Sequence, residues 1–148
     1  MTGQIDFKSQ ISALENADEI ILMLVSEGHL INRIITDANL LRRFAYVYKI
    51  DNADGIANVY SILYNGIVDV GHYISGLGFR IGIVFKKGSS IIAEFYFNDI
   101  NENGERVGLF GNQCVRLLSD ASNAIYSLPE ATNATLIAPP GYKTAPRR

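Results

Sequence analysis

Tryptophan is absent, cysteine occurs once, and the 148 residues hold only two histidines and four prolines. The lone Cys114 excludes an intrachain disulfide, so the chain is not a stapled secreted scaffold and carries no mark of an oxidising compartment. Two histidines and one cysteine are few for a zinc centre, and neither His29 nor His72 has a second histidine or cysteine at the usual close spacing. No metal or other cofactor is therefore expected.

A basic excess is also missing. Thirteen Lys and Arg stand against fifteen Asp and Glu, a net charge of −2. The densest cationic spots are the pairs Arg42-Arg43, Lys86-Lys87 and Arg147-Arg148. Pairs of this kind are ordinary solvated surface, which argues against binding the phosphate backbone of a nucleic acid. Long apolar runs are lacking too: the longest, Ile20 to Val25, falls far short of the ~20 residues that cross a bilayer. Met1 to Asp18 has no basic segment leading into an apolar one, so no secretory leader is legible and a cytoplasmic protein without membrane contact is expected.

What is present is an ordinary globular composition, 48% hydrophobic and 19% charged, which excludes a disordered chain and favours one domain. Phe7, Ile11 and Leu14 are spaced for a short amphipathic helix ending near Asn16. Ile20 to Val25 reads as a strand buried on both faces, with a turn at 26–29 and a return strand at 30–36. Thr36 or Asp37 can cap a helix over 37–50 that carries Leu40, Leu41, Phe44, Val47 and Tyr48 on one side. A second helix is expected to place Ala53, Ile56, Ala57, Tyr60, Leu63 and Tyr64 on a stripe, with Gly66 as its stop.

The clearest element is a hairpin. Phe79, Ile81, Ile83 and Phe85 alternate with Arg80, Gly82, Val84 and Lys86; after Lys87-Gly88-Ser89, the residues Ile91, Ala93, Phe95 and Phe97 alternate in the same way. One face should be core and the other mostly wet. Arg106 to Phe110 adds a third strand, and Asn112 is placed to cap a last helix reaching Leu128, where Pro129 ends it. The expected fold is α+β: a single domain over residues 1–128, with an antiparallel sheet of about four to six strands and helices packed on one face. Residues 129–148 read as an extended, loosely held C-terminal tail.

Motifs that promise chemistry fail on their surroundings. Asp99-Ile100-Asn101-Glu102-Asn103-Gly104 matches the first half of an EF-hand loop, but the position that needs a bidentate acid is Phe110. Gly76-Leu77-Gly78 precedes a strand where a dinucleotide fingerprint requires a helix. Cys114 at the start of the last expected helix could gain thiolate character there, yet no spacing ties it to a base.

No convergent set of acid, base, nucleophile or ligand is legible, which tilts the expectation towards a non-enzymatic protein-interaction module. Its partner would be another protein, and an inhibitor or immunity-type protein of bacteria suits the size and acidity. The residues expected on its docking surface are Arg42, Arg43 and Tyr46 on the outward side of the first long helix, and Glu94 and Tyr96 on the outer face of the hairpin, because Tyr and Arg combine area with polar contacts. The alternative is a small-molecule binder or enzyme with a pocket near residues 66–80, built from Asp69, His72, Tyr73 and Arg80. A third expectation is homo-oligomerisation through a sheet edge.

Overall fold

The computed structural model describes residues 9–26, 35, 37–70 and 78–141. The apolar run near the N-terminus forms strand β1 (Glu19–Leu24), buried along almost its whole length. A strand with no polar face belongs in the middle of a sheet. It pairs antiparallel with β2 (Tyr46–Ile50) on one side and with β4 (Phe79–Lys87) on the other. Both edges of β1 are thus taken, so the expected hairpin between 20–25 and 30–36 does not form. Of that return strand only Ile35 is among the described residues, and its carbonyl accepts from the Phe79 N–H at 2.7 Å.

The hairpin of β4 and β5 (Ser90–Asn98) is present as the alternation foretold, turning at Gly88 with φ 61°. Ile81, Ile83, Phe85, Phe95 and Phe97 all enter one core. A register shift between Phe79 and Ile81 turns Phe79 to the opposite face, where its ring stacks on Tyr96 at 5.2 Å.

Around these strands the sheet grows to eight, in the order β3 (Ile67–Asp69), β7 (Gln113–Leu117), β6 (Arg106–Phe110), β5, β4, β1, β2, β8 (Thr135–Ala138), with every neighbouring pair antiparallel. The fold is α+β as expected, with more strands than expected. Two of the extra strands replace helix. The helix foreseen over 37–50 is α1 (Ala38–Phe44) only, capped by Asp37, whose side chain accepts from the Leu40 N–H at 2.8 Å. Beyond Ala45 the run Tyr-Val-Tyr-Lys-Ile is β2, in keeping with the preference of aromatic and β-branched residues for a pleated surface. The helix foreseen from Asn112 to Leu128 begins only at α3 (Ser119–Ile125), followed by α4 (Leu128–Ala131); Gln113 to Leu117 is β7. Cys114 consequently sits buried in a strand and has no helix terminus to activate it.

Helices lie on both faces, not on one. The larger core is covered by α2 (Ala53–Gly66) through Ile56, Val59 and Leu63, by Ile11 and Leu14 of the helical segment ending in a 3-10 turn (Ala13–Asn16), and by Ala121 and Ile125 of α3. Val59 is buried while Ala53 and Ala57 are exposed, so the stripe of α2 is rotated from the one expected. The opposite face holds a second core of Ile21, Met23, Val47, Phe79 and Val84 under Leu41 of α1. Because of this cover, the face of β4 expected to be wet is buried at Gly82 and Val84. A β-carbon at Gly82 would lie 2.7 Å from Met23 Cε and 2.9 Å from Leu41 Cδ2, so the absence of a side chain is what lets α1 approach. Gly66 acts likewise: a β-carbon there would lie 2.3 Å from that of Ala121, so it is a packing glycine between α2 and α3 and not a left-handed stop.

Candidate functional site

The stretch from Pro129, expected as a tail, adds a strand to the sheet. At the end of α4 the Thr132 Oγ1–H donates to the Leu128 carbonyl at 2.6 Å, and Asn133 takes a positive φ of 54°, which reverses the chain. Asn52 fixes this corner from the other side. Its carboxamide oxygen accepts from the Gly55 N–H at the start of α2, while its NH₂ donates to the Thr132 carbonyl at 2.9 Å. The chain emerges as β8 beside β2, with Thr135 opposite Lys49, Leu136 opposite Tyr48 and Ala138 opposite Val47. Pro139 has no N–H and ends the ladder.

β8 is the last strand of the sheet among the described residues, and within them its outer backbone edge has no strand partner. Edge strands in natural proteins are commonly blunted by charged side chains, inward charges or bulges. The four residues Thr-Leu-Ile-Ala carry no charge, the ladder to β2 is irregular at Ile137, which has no partner between Leu136 and Ala138, and Leu136 and Ile137 are 49% and 47% exposed.

The elements behind this edge share one sign of charge. α1 and β2 contain Arg42, Arg43 and Lys49 and no acid, in a chain whose net charge is −2. The Arg43 carbonyl lies against Gly141, just past β8, where a β-carbon would come within 3.2 Å of it. Lys49 stands at the other end, opposite Thr135, paired at 3.7 Å with an exposed Asp51. An exposed pair of this length contributes little. Tyr46 and Tyr48 alternate with Val47 and Lys49, their rings 6.4 Å apart. Burial, and then the neighbouring Tyr46, pushes the Tyr48 hydroxyl above its ordinary pKa, so it stays a neutral donor.

The five residues foreseen for a docking surface divide into two groups. Arg43 and Tyr46 lie at the β2–β8 edge, although Tyr46 belongs to β2 and not to a helix. Glu94 and Tyr96 lie on β5, with β4 and β1 between them and β2. The Tyr96 hydroxyl donates to the Glu94 carboxylate. Burial first, then that hydrogen bond and the carboxylate charge, raise the Tyr96 pKa, while the charge of Arg42 lowers it. Arg42 therefore acts on this inner group. Tyr96 remains protonated at neutral pH and is a hydrogen-bond donor, not a base.

The alternative pocket is not drawn together by the sheet. Asp69 ends β3 at one border, Arg80 is in β4, and β7, β6 and β5 intervene. At ~4.8 Å per strand those backbones stand about 19 Å apart. His72 and Tyr73 lie outside the described residues. A concavity that sequence reasoning missed is found elsewhere: a cleft of about 840 Å³ between the first helical segment and the β6–β7 turn, floored by Leu14, Ala93 and Phe110 and rimmed by Gln10, Asn112 and Gln113. Nothing in the sequence places residues 10–14 beside 110–113, because only the sheet order does so.

Among the described residues no three His, Cys, Asp or Glu side chains are grouped to hold a metal ion, and no helix is long and apolar enough to cross a membrane. The Asp99–Gly104 loop uses its polar groups on itself: the Asn101 side chain accepts from the Asn103 and Glu105 N–H groups at 2.9 and 3.0 Å. No protein-family model, curated protein or solved structure matches the chain. The geometry alone must carry the functional reading.

Proposed function

We propose that this protein works by docking on another protein through the β2–β8 edge. The observation that carries the reading is an uncharged border strand whose outer edge has no strand partner among the described residues and which holds Leu136 and Ile137 out to solvent. Unpaired N–H and C=O groups beside exposed apolar side chains are a template for a further strand. No geometry here selects a toxin inhibitor among docking proteins, so the proposal is docking itself. A second reading, binding of a small molecule, is favoured by the cleft over Leu14 and Phe110 and not by the 66–80 segment.

The test is a comparison of the tagged wild-type chain with Ile137→Lys in extract of the native host. Wild type should retain a stoichiometric protein at moderate salt, and the variant should bind that protein roughly thirtyfold more weakly, as expected when an apolar anchor is lost from an interface centre. Circular dichroism and melting of the variant should be unchanged, since the side chain is about half exposed already. Equal retention by both chains, or recovery of the bait alone, would contradict the reading.

A further inference from the structure

Resting on the second of these readings, the structure assigns a ligand class to the cleft beside Phe110: an uncharged, largely apolar small molecule that carries an amide-type edge. The cleft is built into the sheet. β5 pairs with β4 from Ser90 to Asn98 but with β6 only from Phe95 to Phe97, since β6 and β7 turn back at Gly111-Asn112. β5 therefore runs on past the turn and leaves a step in the sheet, over which the first helical segment brings Leu14. On the face of β5 that carries Phe97 and Phe95, the next position is Ala93. Its small side chain leaves the step open, and Phe110, parallel to Phe95 at 4.5 Å, forms its wall. The resulting volume of about 840 Å³ lies within the roughly 300–1,000 Å³ of small-molecule sites.

Two features select the ligand. Around the apolar floor stand four carboxamides, Gln10 and Asn16 on the helical side and Asn112 and Gln113 at the turn. Among the described residues none of these side chains is hydrogen-bonded, and each offers both an acceptor and a donor group. An amide edge, with both kinds of group side by side, matches them. Charge is the second feature. Of the lining residues only Lys87 and Glu94 are charged. Glu94 alternates with Ala93 and Phe95, and its carboxylate accepts from the Tyr96 hydroxyl on the opposite face, where Tyr96 stacks on Phe79. The residue after Lys87, Gly88, donates its N–H to both carboxylate oxygens of Asp18, at 3.1 and 3.0 Å, so an acid stands close to that cation. Neither sign of charge is left uncompensated to receive an ion, and an unpaired ion would lose its hydration on entering. An uncharged ligand avoids that cost.

The test titrates the intact protein with three naphthalenes of like size: the carboxamide, the carboxylate and the methylammonium. The chain has no tryptophan, so naphthyl fluorescence reads binding directly. The carboxamide should bind at least about tenfold more tightly than either ion. It should shift the backbone resonances of Ala93, Gly111 and Gln113 and leave those of β8 in place. Ala93→Leu, which fills the step with apolar atoms, should weaken the carboxamide at least about tenfold with its circular dichroism unchanged. Where that variant does not fold, Asn112→Ala/Gln113→Ala should weaken the carboxamide about tenfold and leave plain naphthalene as it was, since only hydrogen bonds are lost. Equal or tighter binding of an ion would overturn the uncharged class and leave the small-molecule reading in place. Binding by none of the three would overturn both. Shifts confined to β8, or loss of binding in Ile137→Lys, would put the site at the sheet edge and overturn the cleft.

Discussion

Phe95→Ala is expected to lose about 3–5 kcal/mol of stability, the usual cost of removing a fully buried aromatic ring. Phe95 is completely buried on β5 and is the ring on which three others converge: Phe110 parallel at 4.5 Å, Phe85 edge-on at 5.8 Å and Phe97 at 6.3 Å. Truncation would leave a cavity that these neighbours, each anchored in its own strand, cannot close by small shifts. Since a domain of ordinary stability holds only about 5–15 kcal/mol, the variant should sit near the edge of folding. For a chain of this length the melting temperature should fall by roughly 10–15 °C. A urea unfolding curve decides the matter, and a loss under about 1 kcal/mol would show that the aromatic cluster is not the keystone of the larger core.

Gly108→Ala should be nearly as damaging, although it adds a single methyl group. Gly108 pairs with Phe97 in the β5–β6 ladder, and its backbone runs so close that a β-carbon would lie 2.0 Å from the Tyr96 carbonyl oxygen and 2.9 Å from Phe97 Cα. Both obstacles are backbone, so no rotamer change relieves them; the strands must separate or slip. Slippage by one residue would turn every β6 side chain to the wrong face, including buried Arg106, whose Nε–H donates to Ser122 Oγ and whose second nitrogen donates to the Asn98 carbonyl, both at 2.8 Å. The expected cost is about 3 kcal/mol or more, at the upper end for overpacking. Thermal melting compared with Gly111→Ala separates space from conformation. Gly111 has a positive φ of 60° but open surroundings, so its substitution should cost only the strain of that φ, about 1 kcal/mol. Equal losses at the two positions would contradict the close-approach account of Gly108.

The two substitutions fall where sequence reasoning was strong and where it was weak. β1 and the β4–β5 hairpin were legible because their patterns are local: six apolar residues in a row, and strict alternation on either side of a glycine turn. β2 was hidden because Leu40, Leu41, Phe44, Val47 and Tyr48 also satisfy helical spacing, and no Gly or Pro marks the change at Ala45. Only the density of aromatic and β-branched residues from Tyr46 to Ile50 signalled a strand. β7 was legible in principle. Gly111-Asn112 between Phe110 and Gln113, which pair directly, is a two-residue hairpin loop, but Asn112 also suits a helix cap and was read that way. β8 offers no local signal at all; four residues become a strand because β2 lies beside them.

The same division holds at the candidate site. Arg43 and Tyr46 reach the edge together because three residues cannot separate them far, even though a helix ends and a strand begins between them. Leu136 and Ile137 were not singled out, because exposure of an apolar residue is a tertiary fact. The influence of the Arg42 charge on Tyr96 depends on α1 crossing Gly82, which no spacing along the chain reveals.

Docking at the β2–β8 edge makes a claim about particular amides, and hydrogen exchange reads them directly. In the free protein the outward N–H groups of Thr135–Ala138 should exchange quickly while those of β1, in the middle of the sheet, are protected. With the native partner bound, protection should appear at 135–138 and along the adjoining β2. Protection that appears instead around Leu14, Phe110 and Gln113, with β8 unchanged, would move the function to the cleft and contradict the account.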